Sequence, residues 1–427
     1  MESIFKEIVQ IMQHDYSGYK DKKGWDNPEY FLRKIIDLKT SKELTNELFT
    51  EIVKDYLLDF KDQHIYFEQF NSTKKDLNYL GFRVRRFEDK LYVTEVSGES
   101  RLKRGMFFKS LEGYSIPELV ELHKRFLSES AADRENWSPI LSLYNYGEIV
   151  DLHGNISLFS FEFYEKSTYT ATYSVKALAA NILLITMTDF MNPQAIINMI
   201  NDNHQLLEST EHWIIDVRTN YGGSDASFYP LLPYILPEEG INLADSGEKM
   251  LFNCTNANTA RQLAELDIDI ENTNDKQTLL FLNVFRREWE KNKGKGFREF
   301  HFDELFPSTM TKGKHTPNKI VLLTDSMCGS SGDSFVEICK KSRKVTVIGR
   351  PTKGLNDYTN LTSMKWNNEF ELMYPTSRLS RIDKGEGMSG IGIKPHNYIP
   401  WSPNHLEEDI DLNSAMSVLT SFSVKNI

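Results

Sequence analysis

The sequence predicts an α/β protein, α+β overall, and three observations support this fold class. Residues from about 147 to 427 alternate apolar strand-like runs with segments of helical periodicity, which is typical of a strand–helix core. The first 75 residues carry apolar side chains at helical spacing. Between these regions, short β-branched and aromatic runs broken by turn residues indicate a small β-rich module.

The first region, residues 1–75, is predicted to be a helical cap. Ile4, Ile8 and Ile11 recur at the spacing of one helix face. Segments 30–38 and 44–60 repeat this pattern, and Thr40–Ser41 between them is a helix start signal. We therefore expect three helices before the chain reaches His64.

The second region, residues 76–130, changes to the period of β-strands. Strands are predicted over 79–84, 90–96 and 107–111, and a helix over 118–126. A small β module closed by a helix is the simplest interpretation. It resembles a PDZ-like domain, in which a peptide adds a strand to the edge of the sheet; the alternative is an unrelated small β module.

The third region, residues 131–427, is predicted to be the α/β core. Its first strands and helices are expected over 158–163, 168–175, 182–187, 192–207, 213–217 and 227–236. Residues from about 248 to 313 depart from the alternation, with an amphipathic helix near 279–289 and a charged link after it. We interpret that stretch as an inserted lid.

Composition limits the function classes. The chain has 427 residues, of which 40% are hydrophobic and 12% aromatic, enough to bury sizeable cores. Its net charge of −11 argues against nucleic acid as a partner. Three cysteines without metal-binding spacing favour a reducing compartment. We expect no metal or cofactor. With no leader-like apolar start and no run of about 18 apolar residues, we expect a cytoplasmic protein without a membrane span.

A serine lies where a strand is predicted to turn into a helix. The apolar run 320–323 ends in small and polar residues, and Ser330 and Ser331 precede the helical segment 335–339. Such a turn can present a serine nucleophile together with the following amide as half of an oxyanion hole. The alternatives are an ordinary helix N-cap and, for catalysis, a thiol nucleophile at Cys328.

Two further features carry possible chemistry. The sequence WIIDVRTNYGGS is an apolar strand that opens into Gly222 and Gly223, whose backbone amides can face a carbonyl oxygen or an anion. A plain tight turn is the alternative, and a phosphate loop is disfavoured because no Lys-Ser/Thr pair follows. His64, after the helical cap, has the ring that a general base at neutral pH requires, although a lone histidine is more often structural or merely exposed.

Together these features resemble the tail-specific, C-terminal-processing and tricorn-type serine peptidase family. Motifs of that family recur here in the family's order and span most of the chain: FKDQHIY (60–66), IIDVRTNYGGS (214–224), CGSSGD (328–333), GRPTKG (349–354) and GIGIKPH (390–396). The resemblance implies a ClpP- or crotonase-like α/β catalytic core. It also implies that Ser330 is the nucleophile, that His64 is the base, and that the amides of Ser331 and Gly222 form the oxyanion hole.

Departures from the family pattern bear on the base. One branch of the family uses a lysine just after the GxxTxG motif, and Leu355 stands there in this chain, which leaves His64. Asp333 replaces the usual glutamate after the nucleophile, and Ser389 stands where the tricorn-type branch has a glutamate. The residue that orients the histidine is therefore open, with three carboxylates as candidates: Asp357, Glu386 and Asp62.

The function expected from these residues is a serine peptidase that acts on peptides or unfolded proteins, including their C-terminal segments, through an acyl-enzyme. The alternative is a non-catalytic peptide- or ligand-binding relative with the same fold. The oligomeric state is not predicted by any of these features.

Overall fold

The computed structural model describes residues 1–70, 79–127, 129–165, 168–243, 247–305 and 310–423. Within it the chain forms two compact units, each discontinuous in sequence. The first unit comprises Met1–Ser72, Asn242–Thr309 and Leu355–Ser389, and the second comprises Thr73–Ile241, Met310–Gly354 and Gly390–Ile427. The predicted boundary near residue 75 falls in 71–78, outside the described residues, and the division into three sequential domains stays a prediction.

The three helices predicted near the N-terminus are present in the first unit. They are Glu2–Gln10, which continues as a π-helical turn over Ile11–Asp15, then Pro28–Thr40 and Asn46–Leu57. The same unit also contains the helices Asn256–Asn272 and Lys276–Asn292. The predicted start signal at Thr40–Ser41 is wrong, because one helix ends there. The next helix is capped by Thr45, whose hydroxyl accepts a hydrogen bond from the Leu48 N–H.

The sheet of the first unit has five antiparallel strands. Four of them follow in the order Tyr66–Gln69, Phe370–Leu379, Met250–Cys254 and Gly296–Glu299, and Tyr358–Trp366 also pairs with Phe370–Leu379. The N-terminal helices bury Phe5, Phe49 and Tyr56 in one apolar core with Phe370 and Tyr374 of this sheet. The segment 248–313, predicted as a lid, supplies two of the strands; residues 306–309 lie outside the described residues, and a lid role stays a prediction.

The second unit contains a β-rich module with helices beside it. In order across the sheet, its strands are Phe82–Phe87, Lys90–Val96, Phe107–Leu111, Tyr146–Val150 and Ile156–Ser160, and the short strand Tyr114–Ser115 pairs with Phe107–Leu111. The helices are Ile116–Leu122, which begins in a Ser115–Glu118 capping box, and Ser138–Leu141. The last two strands of this sheet lie beyond residue 130, the predicted end of the PDZ-like module.

The second unit also holds the predicted α/β core, and this mixed helix and sheet fold class is confirmed. Its six-stranded sheet has the order Asn397–Tyr398, Val345–Gly349, Lys319–Thr324, His212–Asp216, Ile182–Met187 and Tyr173–Ala179. The helices of this part are Pro193–Asp202, His204–Ser209, Leu232–Ile235, Ser331–Lys340 and Ile410–Ser423. Two further short strands cover Ile241–Asn242 and Met310–Thr311.

Strand direction in the six-stranded sheet determines where its loops meet. All neighbouring strands run parallel except the edge strand Tyr173–Ala179, which is antiparallel to Ile182–Met187. The carboxyl ends of parallel strands lie at one edge of a sheet, which is where α/β proteins place their sites. The glycine turn after His212–Asp216 and the serine turn after Lys319–Thr324 therefore emerge side by side.

Candidate active site

Ser330 occupies the sharp strand-to-helix turn that the sequence predicts. The strand Lys319–Thr324 precedes it and the helix Ser331–Lys340 follows, so this prediction is confirmed. Its backbone has φ 57° and ψ −121°, a conformation that a residue with a Cβ atom adopts only when its surroundings enforce it. Strained turns of this kind lift a nucleophilic side chain clear of the sheet edge.

Asp333 ties the serine turn to the GRPTKG segment. Its carboxylate is fully buried and accepts the Ser330 N–H at 2.9 Å and the Gly354 N–H at 3.0 Å. Two backbone donors satisfy the buried charge, so this shorter acid serves as a structural brace at the position where the family usually has glutamate.

The glycine turn packs directly against Ser330. Gly222 has φ +80°, and a Cβ atom added there would lie 2.7 Å from the Ser330 Cβ and 2.8 Å from the Gly329 carbonyl oxygen. No side chain fits this space without displacing the serine turn. Gly223, with φ +140°, is equally restricted because an added Cβ would lie 2.3 Å from the Phe190 carbonyl.

Replacing Gly222 by alanine is expected to destabilise the protein by more than about 2 kcal/mol and to remove activity, since the methyl group must push Ser330 out of place. Gly113 provides a matched control, because it has φ +85° and an added Cβ would meet nothing within 4 Å. Gly113→Ala should show only the penalty of about 1 kcal/mol for a positive φ. Urea unfolding of both variants and assays of the expected hydrolytic activity check this, and equal stability and activity would contradict it.

The amides around Ser330 differ in their availability. The Gly222 N–H donates to the Asn220 side-chain oxygen at 3.0 Å, and the Asn220 amide group donates in turn to the Met187 carbonyl. The Ser331 hydroxyl donates to the Gly223 carbonyl at 2.8 Å. Within the described part of the chain, the N–H groups of Gly223 and Ser331 have no acceptor. These two donors are therefore open to a bound oxygen atom.

Neither Cys328 nor Lys353 has the character of a catalytic group. Burial, followed by the nearby Asp333 carboxylate, raises the pKa of the Cys328 thiol well above its usual range. A thiol that keeps its proton is a poor nucleophile. The Lys353 ammonium lies 3.2 Å from the Glu129 carboxylate, which is itself buried. The protonated thiol and the paired ammonium are therefore both weaker candidates for a catalytic group than the hydroxyl of Ser330.

An ion-pair cluster fixes the loop that leads to Ser330. Arg85, on the strand Phe82–Phe87, donates two hydrogen bonds of 2.7 and 2.8 Å to Asp325, and Arg350 Nε lies 2.9 Å from the same carboxylate. Burial alone would raise the pKa of Asp325, but the two guanidinium groups outweigh it and hold that pKa well below its usual range. The β-rich module thus braces the loop that leads to Ser330 within the second unit.

His64 lies in the first unit, between the short helical turn Leu58–Phe60 and the strand Tyr66–Gln69. Its residue exposure is 5%, and its ring Nδ1 lies 2.7 Å from the Tyr358 carbonyl oxygen. A carbonyl oxygen only accepts, so Nδ1 carries the proton in this contact. The neutral ring then presents Nε2 as a proton acceptor, which is the tautomer that a general base requires.

Among the three candidate orienting carboxylates, two accept hydrogen bonds from other groups and the third is exposed. Asp62 accepts the His64 backbone N–H at 2.9 Å rather than a ring N–H. Asp357 accepts the Met388 N–H at 3.0 Å and both the N–H and the hydroxyl of Ser389 at 2.7 Å. Glu386 is exposed. In this structure, the hydrogen bond that orients the ring comes from the Tyr358 main chain, for which the sequence holds no signal.

The comparisons with solved structures show the fold. Mature CPAF in complex with lactacystin matches with a TM-score of 0.69 at 13% identity, covering 100% of this chain and 99% of that chain. A second structure of mature CPAF gives 0.64 at 11% identity, covering 98% and 95%. A putative peptidase from Parabacteroides merdae gives 0.50 at 13% identity, covering 97% and 95%. No curated protein sequence matches this chain.

A match to a protein-family model shows which family the chain belongs to. The model of peptidase family S41 matches residues 181–399, which is more than half of the 427 residues. That range contains the glycine turn, the serine turn and the GRPTKG segment, the three elements that lie together in the second unit. The chain therefore belongs to peptidase family S41, a family of serine peptidases.

Proposed function

We propose that Ser330 is the nucleophile of this serine peptidase and that His64 is its general base. The observation that carries the proposal is the backbone of Ser330, which is held at φ 57° beside two amide donors without acceptors among the described residues. An N-cap alone does not require this strained conformation, since N-cap residues ordinarily adopt extended backbone angles. Strain of this kind is typical of catalytic turns.

The role of His64 is supported by its fixed tautomer and by the replacement of the alternative base. The Tyr358 carbonyl holds the Nδ1 proton, so Nε2 is the free acceptor. The family's lysine position is Leu355, which accepts no proton. We therefore propose that the Nε2 lone pair of His64 takes up the proton of the Ser330 hydroxyl.

The oxyanion hole is proposed to combine the Ser331 amide with one amide of the glycine turn. Gly222 is the donor that the family motif implies, and it has to release the Asn220 side chain when it takes up an oxyanion. The Gly223 amide is the alternative donor and needs no such exchange. Amides that are fixed before the reaction stabilise a tetrahedral intermediate without reorganisation.

The proposed reaction proceeds through an acyl-enzyme. The Ser330 oxygen attacks the peptide carbonyl while its proton passes to His64 Nε2. The imidazolium then gives this proton to the leaving amine as the carbon–nitrogen bond breaks, which leaves an ester on Ser330. Water attacks the ester by the same route and restores the serine. Every proton is accounted for by one imidazole ring.

We further propose that the substrates are unfolded or peptide segments, including protein C-termini, and that the protein acts in the cytoplasm. The β-rich module supports peptide capture, because Ile156–Ser160 is an edge strand of its sheet, as in PDZ-like recognition. The three cysteines are free and buried, which supports a reducing compartment. Family membership does not favour the alternative of a non-catalytic binding relative.

A paired-substrate assay tests this proposal. Peptides with a free C-terminal carboxylate and their amidated twins are incubated with the enzyme, and products are identified by mass spectrometry. We expect cleavage of both forms, faster for the free carboxylate, with a burst of product from an ester substrate that reports the acyl-enzyme. Equal cleavage rates for the free and amidated peptides would contradict the proposed preference for C-terminal segments. Turnover of esters without cleavage of any peptide would overturn the peptidase assignment.

A further inference from the structure

Two separate chain segments hold His64 in place. Asp62, two residues before His64, accepts the His64 main-chain N–H at 2.9 Å. The Tyr358 carbonyl accepts the ring Nδ1–H at 2.7 Å. These supports lie almost three hundred positions apart in sequence, although both belong to the first unit. A group that joins them would fix the ring in three dimensions.

Lys22 contacts the side chains of both residues that support His64. Its ammonium lies 3.8 Å from Asp62 Oδ2 and donates a hydrogen bond of 2.8 Å to the Tyr16 hydroxyl, which itself donates to Asp62 at 2.6 Å. The same ammonium lies 4.3 Å from the centre of the Tyr358 ring, within the range of a cation–π contact. Lys22 is thus placed between the two segments that hold the histidine.

Stability alone does not account for this lysine. Only 6% of its side chain and 4% of the Asp62 side chain are exposed. Removing two charges from water is expensive, and buried ion pairs are often no more stable than apolar side chains of the same size. The neighbouring residues Tyr16, Phe60 and Tyr358 already form an apolar core that could accept such a side chain.

We propose that Lys22 is a positioning residue for the peptidase reaction: its buried ammonium ties Asp62 to Tyr358 and thereby fixes the orientation of His64. The inference rests on the proposed role of His64 as general base. It assigns Lys22 no contact with substrate. The positive charge of Lys22 is essential to this role, because the ammonium pairs with the Asp62 carboxylate and lies over the Tyr358 ring.

The protonation of Lys22 gives the proposal a pH signature. Burial lowers the pKa of Lys22, and the carboxylates of Asp62, Asp357 and Asp21 offset this only in part. Burial raises the pKa values of Tyr16 and Tyr358, so these tyrosines keep their protons in the same range. As the pH rises above neutral, Lys22 therefore loses its proton before the two tyrosines do, below the usual lysine value of about 10.4.

Three variants separate charge from packing. Lys22→Met keeps the length of the side chain without its charge, Lys22→Arg keeps the charge at alkaline pH, and Lys23→Met removes a charge from the exposed neighbour. We expect Lys22→Met to lower kcat by about 10–100-fold with KM changed less than about twofold, because a small misplacement of the base affects the chemical step. Lys22→Arg should retain a larger part of kcat, and Lys23→Met should match the wild type.

The pH–rate profile supplies a readout that a merely structural lysine would leave unchanged. In the wild type, kcat should decline at alkaline pH as Lys22 loses its proton. In Lys22→Arg this decline should move up by at least about one pH unit, because guanidinium remains charged above pH 12. An unchanged alkaline limb in Lys22→Arg, or a wild-type kcat in Lys22→Met, would overturn the inference.

Nuclear magnetic resonance of the His64 ring tests the positioning role of Lys22 without measuring catalysis. In protein labelled with nitrogen-15 histidine, the signals of His64 are assigned by their loss in His64→Gln. We expect one tautomer in the wild type, with the proton on Nδ1, and a mixture of tautomers in Lys22→Met. A single Nδ1–H tautomer in both proteins would contradict positioning by Lys22. If His64→Gln instead remained fully active, the proposed function would fail while this spectroscopic result still stood. Should Lys22→Met not fold, the double variant with Asp62→Asn removes both charges of the pair and takes its place.

Discussion

The Ser330→Ala variant is expected to lose peptidase activity by a factor on the order of 10³ to 10⁶, with the fold retained. The size of the loss follows from the proposed role of the hydroxyl oxygen as the atom that bonds to the substrate carbonyl. The amide donors of the turn remain, so a small residual rate over water should persist. Initial rates with a fluorogenic peptide, compared at equal concentrations of folded protein, check this expectation.

A companion variant, Ser330→Gly, separates chemistry from strain at the same position. Both substitutions remove the hydroxyl and its contribution to the N-terminus of the helix Ser331–Lys340. Only glycine accepts φ 57° without a penalty, so Ser330→Gly should be more stable than Ser330→Ala by about 1 kcal/mol while equally inactive. Urea denaturation of the two variants gives this difference. Substantial activity in either variant would show that another residue is the nucleophile.

The His64→Gln variant is expected to lower kcat by about 10² to 10⁴-fold, because a carboxamide cannot accept the serine proton. Glutamine separates the loss of the base from a loss of packing better than alanine does at this site. His64 is 5% exposed and its ring is hydrogen-bonded to the Tyr358 carbonyl, so alanine would also create a cavity and leave that buried carbonyl without its donor. A glutamine amide group can restore that donor and limit the change in stability.

The control for this variant is His153→Gln, since His153 is an exposed histidine of the second unit. Its activity should equal that of the wild type. Thermal unfolding is measured alongside the rates for both proteins. If His64→Gln lost stability while its activity per folded molecule stayed unchanged, His64 would be a packing residue and the assignment of the base would be wrong.

Local patterns predicted the elements of the serine turn because the information lies within a few residues. The strand Lys319–Thr324 is a continuous β-branched and aliphatic run, as buried parallel strands are. The helix Ser331–Lys340 follows Ser330, and a serine side chain is a common signal for the start of a helix. The strand Ile182–Met187 coincides with its prediction for the same reason.

The supports of the candidate site could not be predicted, because they depend on long-range contacts. Tyr358 acts through its main-chain carbonyl, which every residue has, at a separation of 294 positions from His64. Asn220 belongs to a recognisable motif, but its bond to the Gly222 N–H depends on turn geometry. Lys22 stands beside other lysines in the sequence, and nothing local marks it as buried.

The arrangement into units was likewise beyond the reach of sequence periodicity. The helix periodicity of Asn256–Asn272 was not predicted, and the neighbouring helix Lys276–Asn292 was interpreted as part of a lid. The strand Met250–Cys254, which precedes these helices, pairs with Phe370–Leu379, more than a hundred residues later in the chain. Strand pairing over such distances leaves no trace in a local pattern.

The most direct test of the central claim, that Ser330 is a nucleophile activated by His64, is to map the site of reaction with a fluorophosphonate. The probe transfers its phosphonyl group to an activated serine, and peptide mass spectrometry locates the adduct. The account predicts a single adduct on Ser330, absent from Ser330→Ala, formed far more slowly in His64→Gln and at the normal rate in His153→Gln. An adduct on another residue of the active enzyme, or an unchanged rate in His64→Gln, would contradict it.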